Sequence, residues 1–291
     1  MGDEAFSFME SKRPMALLDL VESPSPEAGH SFVALTRKCA NAHGGRVVLA
    51  NKAVAPMILP DEGDRKAEEA LRLLVVSQYP SGSSAESAWS QREKGQAPDA
   101  GSARTFAVRP VGGVESLFGR TLPYTLGRWR REPVPRTDDS ASRSEAIEGA
   151  LVLGEQPDRE RWLNLCERAG DRPIWMLNFL EFAKTASYGK GPEEAASADP
   201  VISGARAYRR YGKGMVRSLA AVGGRVGWAG FPMGQRAGED DGRWHQIAIA
   251  VYPSPAAMMK MLSLPRYRAA HVHRAAALER TRLLATQPLE E

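Results

Sequence analysis

The sequence predicts an α+β fold of two ferredoxin-like repeats, βαββαβ twice over, closing on each other as an intramolecular dimeric α/β-barrel. Three observations predict it. Four segments recur in the same order in the two halves, each half reads strand, helix, strand, strand, helix, strand, and that topology leaves one apolar sheet face uncovered. Arg13-Pro14-Met15-Ala16-Leu17-Leu18-Asp19-Leu20-Val21-Glu22 matches Arg172-Pro173-Ile174-Trp175-Met176-Leu177-Asn178-Phe179-Leu180-Glu181 without a gap. Gly44-Gly45-Arg46-Val47 then matches Gly223-Gly224-Arg225-Val226, and Leu74 to Ser81 matches Ile247 to Ser254. Arg104 to Pro110 lies opposite Arg282 to Pro288. A sheet with helices on one side must bury its other face, and two copies in one chain can cover each other.

The elements follow in order. Each first strand is a short apolar run introduced by Arg-Pro, where a proline costs little ladder bonding. In the second copy Ala205 to Ala221 has helical spacing, with Tyr208, Tyr211, Met215 and Leu219 along one side. The Gly-Gly pair stops that helix, because glycine takes the left-handed conformation cheaply. Val226 to Phe231 and Ile247 to Tyr252 read as strands, the latter alternating Ile247, Ile249 and Val251 with small residues. Ser254 and Pro255 are a helix start, as N-cap and first-turn proline. Arg266 to Arg280 continue as helix and Arg282 to Thr286 close as a strand. The division is thus a degenerate repeat over 1–110, an Arg/Pro/Gly-rich linker over 111–156 and a ferredoxin-like domain over 157–291. The linker contains Arg128-Trp129-Arg130-Arg131, which reads as plain connection or as a basic lid over the barrel mouth. Pro157 to Ala169 reads as a helix leading into the second copy, with Asp158 and Glu160 in its first turn.

Composition bounds the function. With 43% hydrophobic and 25% charged residues over 291 positions, the chain can bury a core and is neither disordered nor fibrous. Its net charge of +4, from 39 basic and 35 acidic groups and weighted to arginine, suits an anionic small molecule better than a nucleic acid. No run approaches a membrane span, and the acidic start Met1-Gly2-Asp3-Glu4 is unlike a signal peptide. Cys39 and Cys166 lie far apart with no ligand-spaced histidine, as expected of reduced thiols in a cytoplasm and of a chain without a metal site. Neither GxGxxG between strand and helix, GxxxxGK[ST], HExxH nor GxSxG occurs, which disfavours nucleotide hydrolysis, zinc proteolysis and serine-hydrolase chemistry.

The second copy, roughly Pro157 to Pro288, resembles the domain-of-unknown-function 1330 family of small dimeric α/β-barrel proteins. The likeness is carried by Met176-Leu177-Asn178-Phe179-Leu180-Glu181-Phe182, Tyr208-Arg209-Arg210-Tyr211-Gly212, Gly223-Gly224-Arg225-Val226, Tyr252-Pro253-Ser254, and His273-Arg274 with Ala277-Leu278-Glu279. The resemblance implies a ferredoxin-like fold and a two-subunit barrel, and it implies no reaction. Here the partner is an in-chain copy that keeps the scaffold without the Tyr, His and Arg positions. Glu181 also departs from the family, where a basic residue is common.

Candidate chemistry gathers in the second copy. Asn178 and its counterpart Asp19 put polarity into otherwise apolar strands, which costs about 1–3 kcal/mol unless hydrogen-bonded. They either face a shared cavity or bond a neighbouring loop. Tyr267, His271, Arg274 and Leu278 fall on one helical face; arginine offers a fork for a carboxylate or phosphate, and histidine exchanges protons near neutrality. Histidines 271 and 273, two apart, make a poor metal pair. Tyr208 and Tyr211 are core or ligand wall, Arg225 is an ion pair or anion clamp, and Trp228 is core or cavity wall.

The reading is a cofactor-independent enzyme, or its degenerate relative, acting on a small anionic organic molecule in the cavity between the repeats. Isomerase, cyclase, lyase or monooxygenase-like chemistry would suit such a pocket. In it His273 serves as acid or base, Arg274 and Arg225 hold negative charge, Asn178 and Tyr208 orient the ligand, and Trp228, Tyr211, Asp19 and His271 contribute to binding. The alternatives are a haem-binding barrel, with His245, His271 or His273 as axial ligand, and a non-catalytic ligand-binding or scaffold module. The partner is a small molecule, not nucleic acid or membrane, and the assembly is a single-chain pseudo-dimer or a homodimer.

Overall fold

The computed structural model describes residues 11–23, 25–59, 70–95, 102–112, 132–134, 140–151, 157–188, 202–238 and 242–290. The Arg128-Trp129-Arg130-Arg131 run and the acidic start lie outside them. The first repeat runs β1 (Met15–Glu22), α1 (Pro26–Ala42), β2 (Arg46–Ile58), β3 (Leu71–Tyr79), α2 (Gly82–Gly95) and β4 (Ser102–Pro110). Two helices follow, α3 (Ser140–Leu151) and α4 (Arg159–Ala169). The second repeat runs β5 (Ile174–Phe182), α5 (Gly204–Ala221), β6 (Arg225–Ala237), β7 (Gln246–Tyr252), α6 (Pro255–Ser263), α7 (Pro265–Ala277) and β8 (Leu278–Pro288).

Local chemistry accounts for most boundaries. Ser25, Asp158, Ser203 and Ser254 each accept a backbone N–H of the first turn and start α1, α4, α5 and α6. Gly44 and Gly223 have φ of +70° and +80°, the left-handed turn that ends α1 and α5. Three boundaries differ from the sequence reading. The second-repeat helix breaks at Leu264 and stops at Ala277, because Leu278 to Arg280 already pair with β5. Strand β6 runs on to Ala237, because its second half pairs with β4. Part of the expected linker is the helix α3, whose Ile147 is fully buried in the second-repeat core.

The strands close into a barrel in the order β1-β3-β2-β8-β5-β7-β6-β4. Every neighbouring pair is antiparallel. Each repeat thus contributes a four-strand sheet of ferredoxin-like order, β4-β1-β3-β2 and β6-β7-β5-β8, and the repeats join at two seams, β2 with β8 and β4 with β6. With four antiparallel steps between them, β1 and β5 run parallel, so their C-terminal ends open at the same mouth.

The interior is packed. Leu18, Leu20, Leu74, Val76 and Phe106 of the first repeat meet Leu177, Phe179, Ile247, Ile249 and Leu284 of the second in one buried cluster. Ring centroids of Phe106 and Phe179 stand 5.3 Å apart, tilted, a favourable aromatic pair across the two repeats. The mutual shielding of two bare sheet faces, expected from topology, is what closes the molecule. No described helix is long and apolar enough to cross a membrane.

Candidate functional site

Strand alternation sorts the polar candidates between two places. On β5, Leu177 and Phe179 point into the barrel, so Asn178 between them points outward, towards the helices. On β1, Leu18 and Leu20 point inward and Asp19 outward. Asn178 and Asp19 therefore do not face a cavity shared by the repeats; each lies under its own repeat's helices. The barrel interior, where that cavity was expected, holds the apolar cluster together with the buried Arg282, whose guanidinium lies over the Phe179 and Trp244 rings at 5.7 and 5.5 Å.

In the second repeat the outer layer gathers Asn178, Tyr208, Tyr211, Tyr252, Tyr267, His271 and Arg274. Helices α5 and α7 pack against each other over the sheet and bring Tyr208 and Tyr211 from one side, and Tyr267, His271 and Arg274 from the other. Rings step across the layer at 5.2 Å from Tyr208 to Tyr211, 6.1 Å to Tyr267 and 5.8 Å on to His271. The Tyr211 and Tyr267 hydroxyls are 3.4 Å apart. Arg274 is 8% exposed and donates from Nη2 to Thr281 Oγ1 at 3.4 Å. Asn178 turns its amide N–H groups onto the carbonyls of Met176 and Ala248, at 2.9 and 3.4 Å.

Burial governs the ionisation of this layer, and the Arg274 charge modulates it. Burial pushes the Tyr208 hydroxyl up to about 12 against the pull of Arg274, and it raises Tyr211, Tyr252 and Tyr267 as well. All four remain phenols at neutral pH. The same burial, reinforced by Arg274, lowers His271 to about 4, so its imidazole is neutral. The layer is therefore a low-dielectric space in which the buried Arg274 guanidinium lies near four un-ionised tyrosines and a neutral imidazole.

The remaining candidates lie elsewhere. His273, next to Arg274 but on another side of α7, has its Nδ1 2.9 Å from the Tyr188 hydroxyl, and burial followed by Arg210 lowers its pKa. Arg225, at the start of β6, stacks over the Trp175 ring at 5.4 Å. Trp228 packs against the barrel cluster, with its indole N–H buried and lacking a hydrogen-bond partner. Asp19 is fully buried beneath α2 in a bidentate pair with Arg92, at 2.6 and 2.9 Å, and Thr105 donates to it at 2.6 Å. Burial works against the Arg92 charge and Asp19 more than restores it, so its pKa lies above the ordinary value. Asp19 is thus committed to an internal ion pair, which corrects its assignment to ligand binding.

Sequence reasoning missed Tyr252 and Tyr188. Tyr252 carried a signal in the repeated Tyr-Pro-Ser corner, since its counterpart Tyr79 lies in the layer of Asp19 and Arg92. Nothing in the sequence ties Tyr188 to His273 across 85 positions.

For a haem with an axial imidazole, His245 fits poorly. His245 Nδ1 accepts the Phe182 backbone N–H at 2.9 Å, which leaves the proton on Nε2, and its ring is stacked flat on Phe182. His271 faces the Tyr267 ring, with centroids 5.8 Å apart. A separate cavity of about 400 Å³ opens at the β2–β8 seam beside α4, lined by both repeats and by none of the candidates above.

Comparisons with known proteins bear on the fold and on kinship. No family model and no curated protein matches the chain, so the likeness to the 1330 family rests on the motifs quoted above. Among solved structures, an anthrone oxidase-like protein aligns over 97% of this chain and 93% of its own, at 14% identity and a TM-score of 0.46. A chlorite dismutase variant from Candidatus Nitrospira defluvii aligns over 96% and 93%, at 11% identity and a TM-score of 0.38. The RPA0582 protein of unknown function from Rhodopseudomonas palustris aligns at a TM-score of 0.40 over 46% of this chain and 96% of its own, with 33% identity. By that identity over nearly the whole length of the smaller protein, this chain belongs to the same family as RPA0582.

Proposed function

We propose that the chain is a cofactor-independent enzyme acting on a small anionic organic molecule, held between the sheet and helices α5 and α7 of the second repeat. The observation that carries this reading is Arg274, a guanidinium 8% exposed within a layer of four tyrosines and a neutral histidine. A fixed cation in low dielectric attracts negative charge, and stabilises charge that develops during reaction, far more strongly than in water. The strand position opposite the helices supports the same reading, because Asn178 brings no charge where the first repeat has Asp19.

In this reading Arg274 holds the anionic group and Tyr208 and Tyr211 orient the ligand with hydrogen bonds. Proton handling falls to His271 rather than His273, since His271 shares the face of Arg274 while His273 turns to Tyr188. A layer of this kind serves reactions that pass through a delocalised organic anion: isomerisation, cyclisation, elimination, or oxygenation without a cofactor. What it supplies is a preorganised charge, which costs no reorganisation when the anion forms.

The test is titration with benzoate and salicylate, followed by amide chemical shifts in α5 and α7. Saturable binding is expected, weakened about tenfold or more in Arg274→Lys, which keeps the charge but loses the planar fork. Binding unchanged in that variant, or shifts confined to other elements, would remove the proposal. The haem alternative is decided by absorbance after adding haemin: a Soret band saturating at one haem per chain would replace the present reading.

A further inference from the structure

We infer a second, independent ligand site at the β2–β8 seam, built for a small organic phosphate monoester. The cavity there has a volume of about 400 Å³, within the range of small-molecule sites. The seam beside it is irregular. The pairing of β2 with β8 shifts register between Ala53 and Ala55 and again between Pro56 and Ile58, where Pro56 has no N–H to give the ladder. Helix α4 packs against β2 beside these shifts.

The walls differ in chemistry. One is apolar, from Ala53, Leu71 and Leu284. The other carries Arg72 from β3 and Arg161, Asn164 and Arg168 from α4, with Glu160 as the only carboxylate in the lining among the described residues. Three guanidinium groups and one carboxylate leave a net charge of +2 around the space. Two of the three are held in place: Arg168 donates from Nη1 to the Val54 carbonyl at 3.0 Å, and the Arg161 side chain is 8% exposed with Nε 4.0 Å from Asp158. A phosphate monoester meets each feature, with close to two negative charges at neutral pH, oxygens matched to guanidinium forks and an organic body for the apolar wall. This site contains no residue of the proposed active layer, so either can fail without the other.

Phenyl phosphate is the probe, added to the full chain and read by calorimetry and by amide shifts in α4 and β2. One saturable site is expected, with inorganic phosphate and phenol each binding at least about tenfold more weakly, since each lacks one half of the match. Arg72→Glu, a change at an exposed position, should lower phenyl phosphate affinity about tenfold or more in a variant that remains folded. Asn164→Leu, which removes a half-buried polar group from the lining without altering charge, should weaken it less than Arg72→Glu does. No saturable binding, binding indifferent to Arg72→Glu in a folded variant, or inorganic phosphate binding as tightly as phenyl phosphate, meaning an adventitious ion only, would overturn the inference.

Discussion

Asp19 and Asn178 show how one aligned position can carry two meanings. Both sit outward on a central strand, under helices. In the first repeat the position carries a carboxylate clamped by Arg92 and Thr105; in the second it carries an amide bonded to its own backbone. Asp19→Asn would keep the shape and leave Arg92 buried without its counter-charge. Removing one partner of such a pair costs about 3–5 kcal/mol, and chemical denaturation should read a loss of that size. A loss near zero would mean the pair contributes nothing. The direction of Asp19 was not legible in the sequence. Met15 to Val21 is apolar on both faces, so alternation gave no clue to which side was inside. His271 carries a second prediction. Its folded pKa of about 4 lies below its ordinary value of 6.5, so between these pH values the unfolded chain binds more protons. Stability is therefore full above about pH 6.5 and falls as the pH drops towards 4, where the folded imidazole must also charge. In His271→Asn the decline over that window should be smaller, as measured by thermal unfolding across pH.

The elements were more legible than the side-chain directions. Glycine turns, the Ser254 cap and the Tyr-Pro-Ser corners depend on a few neighbouring residues, and these local signals located the end of α5 and the start of α6. Boundaries set by distant partners were not readable. The helical pattern through Ala275 to Arg280 gives way at Leu278 because hydrogen bonding to β5 replaces the helical bonds there, and no propensity encodes that. The bulges of β2 are likewise a property of its pairing with β8. Helix α4, read from the sequence as leading into the second repeat, is part of that repeat's core: Trp162 is 1% exposed, in one cluster with Ile174, Tyr211 and Met259. Trp162→Ala should cost about 3–5 kcal/mol, checked by denaturant unfolding. A cost typical of surface sites, within about 0.5 kcal/mol, would make α4 peripheral.

At the scale of the molecule, the repeats depend on each other. Phe106 meets Phe179 across the barrel, and β2 and β4 of one repeat bond β8 and β6 of the other. A fragment of residues 157–291 would expose an apolar sheet face and two strand edges, a state that favours association. It should sediment as a dimer that rebuilds an eight-strand barrel, and a stable monomer would contradict the mutual shielding. The repeat itself was legible because four matched segments fix the topology. The placement of the candidate site was not, because topology says which sheet faces meet and not whether the space between them stays open.

The covalent join of the repeats has a consequence for the seams. In a barrel assembled from two identical chains, every substitution at one junction appears at the other, so neither can specialise alone. Here β2–β8 and β4–β6 are encoded by different stretches of one polypeptide. Each junction shifts register at two places, and at the first of them the arginines of α4 and β3 line a recess. Fusion, in this molecule, is what makes asymmetry heritable.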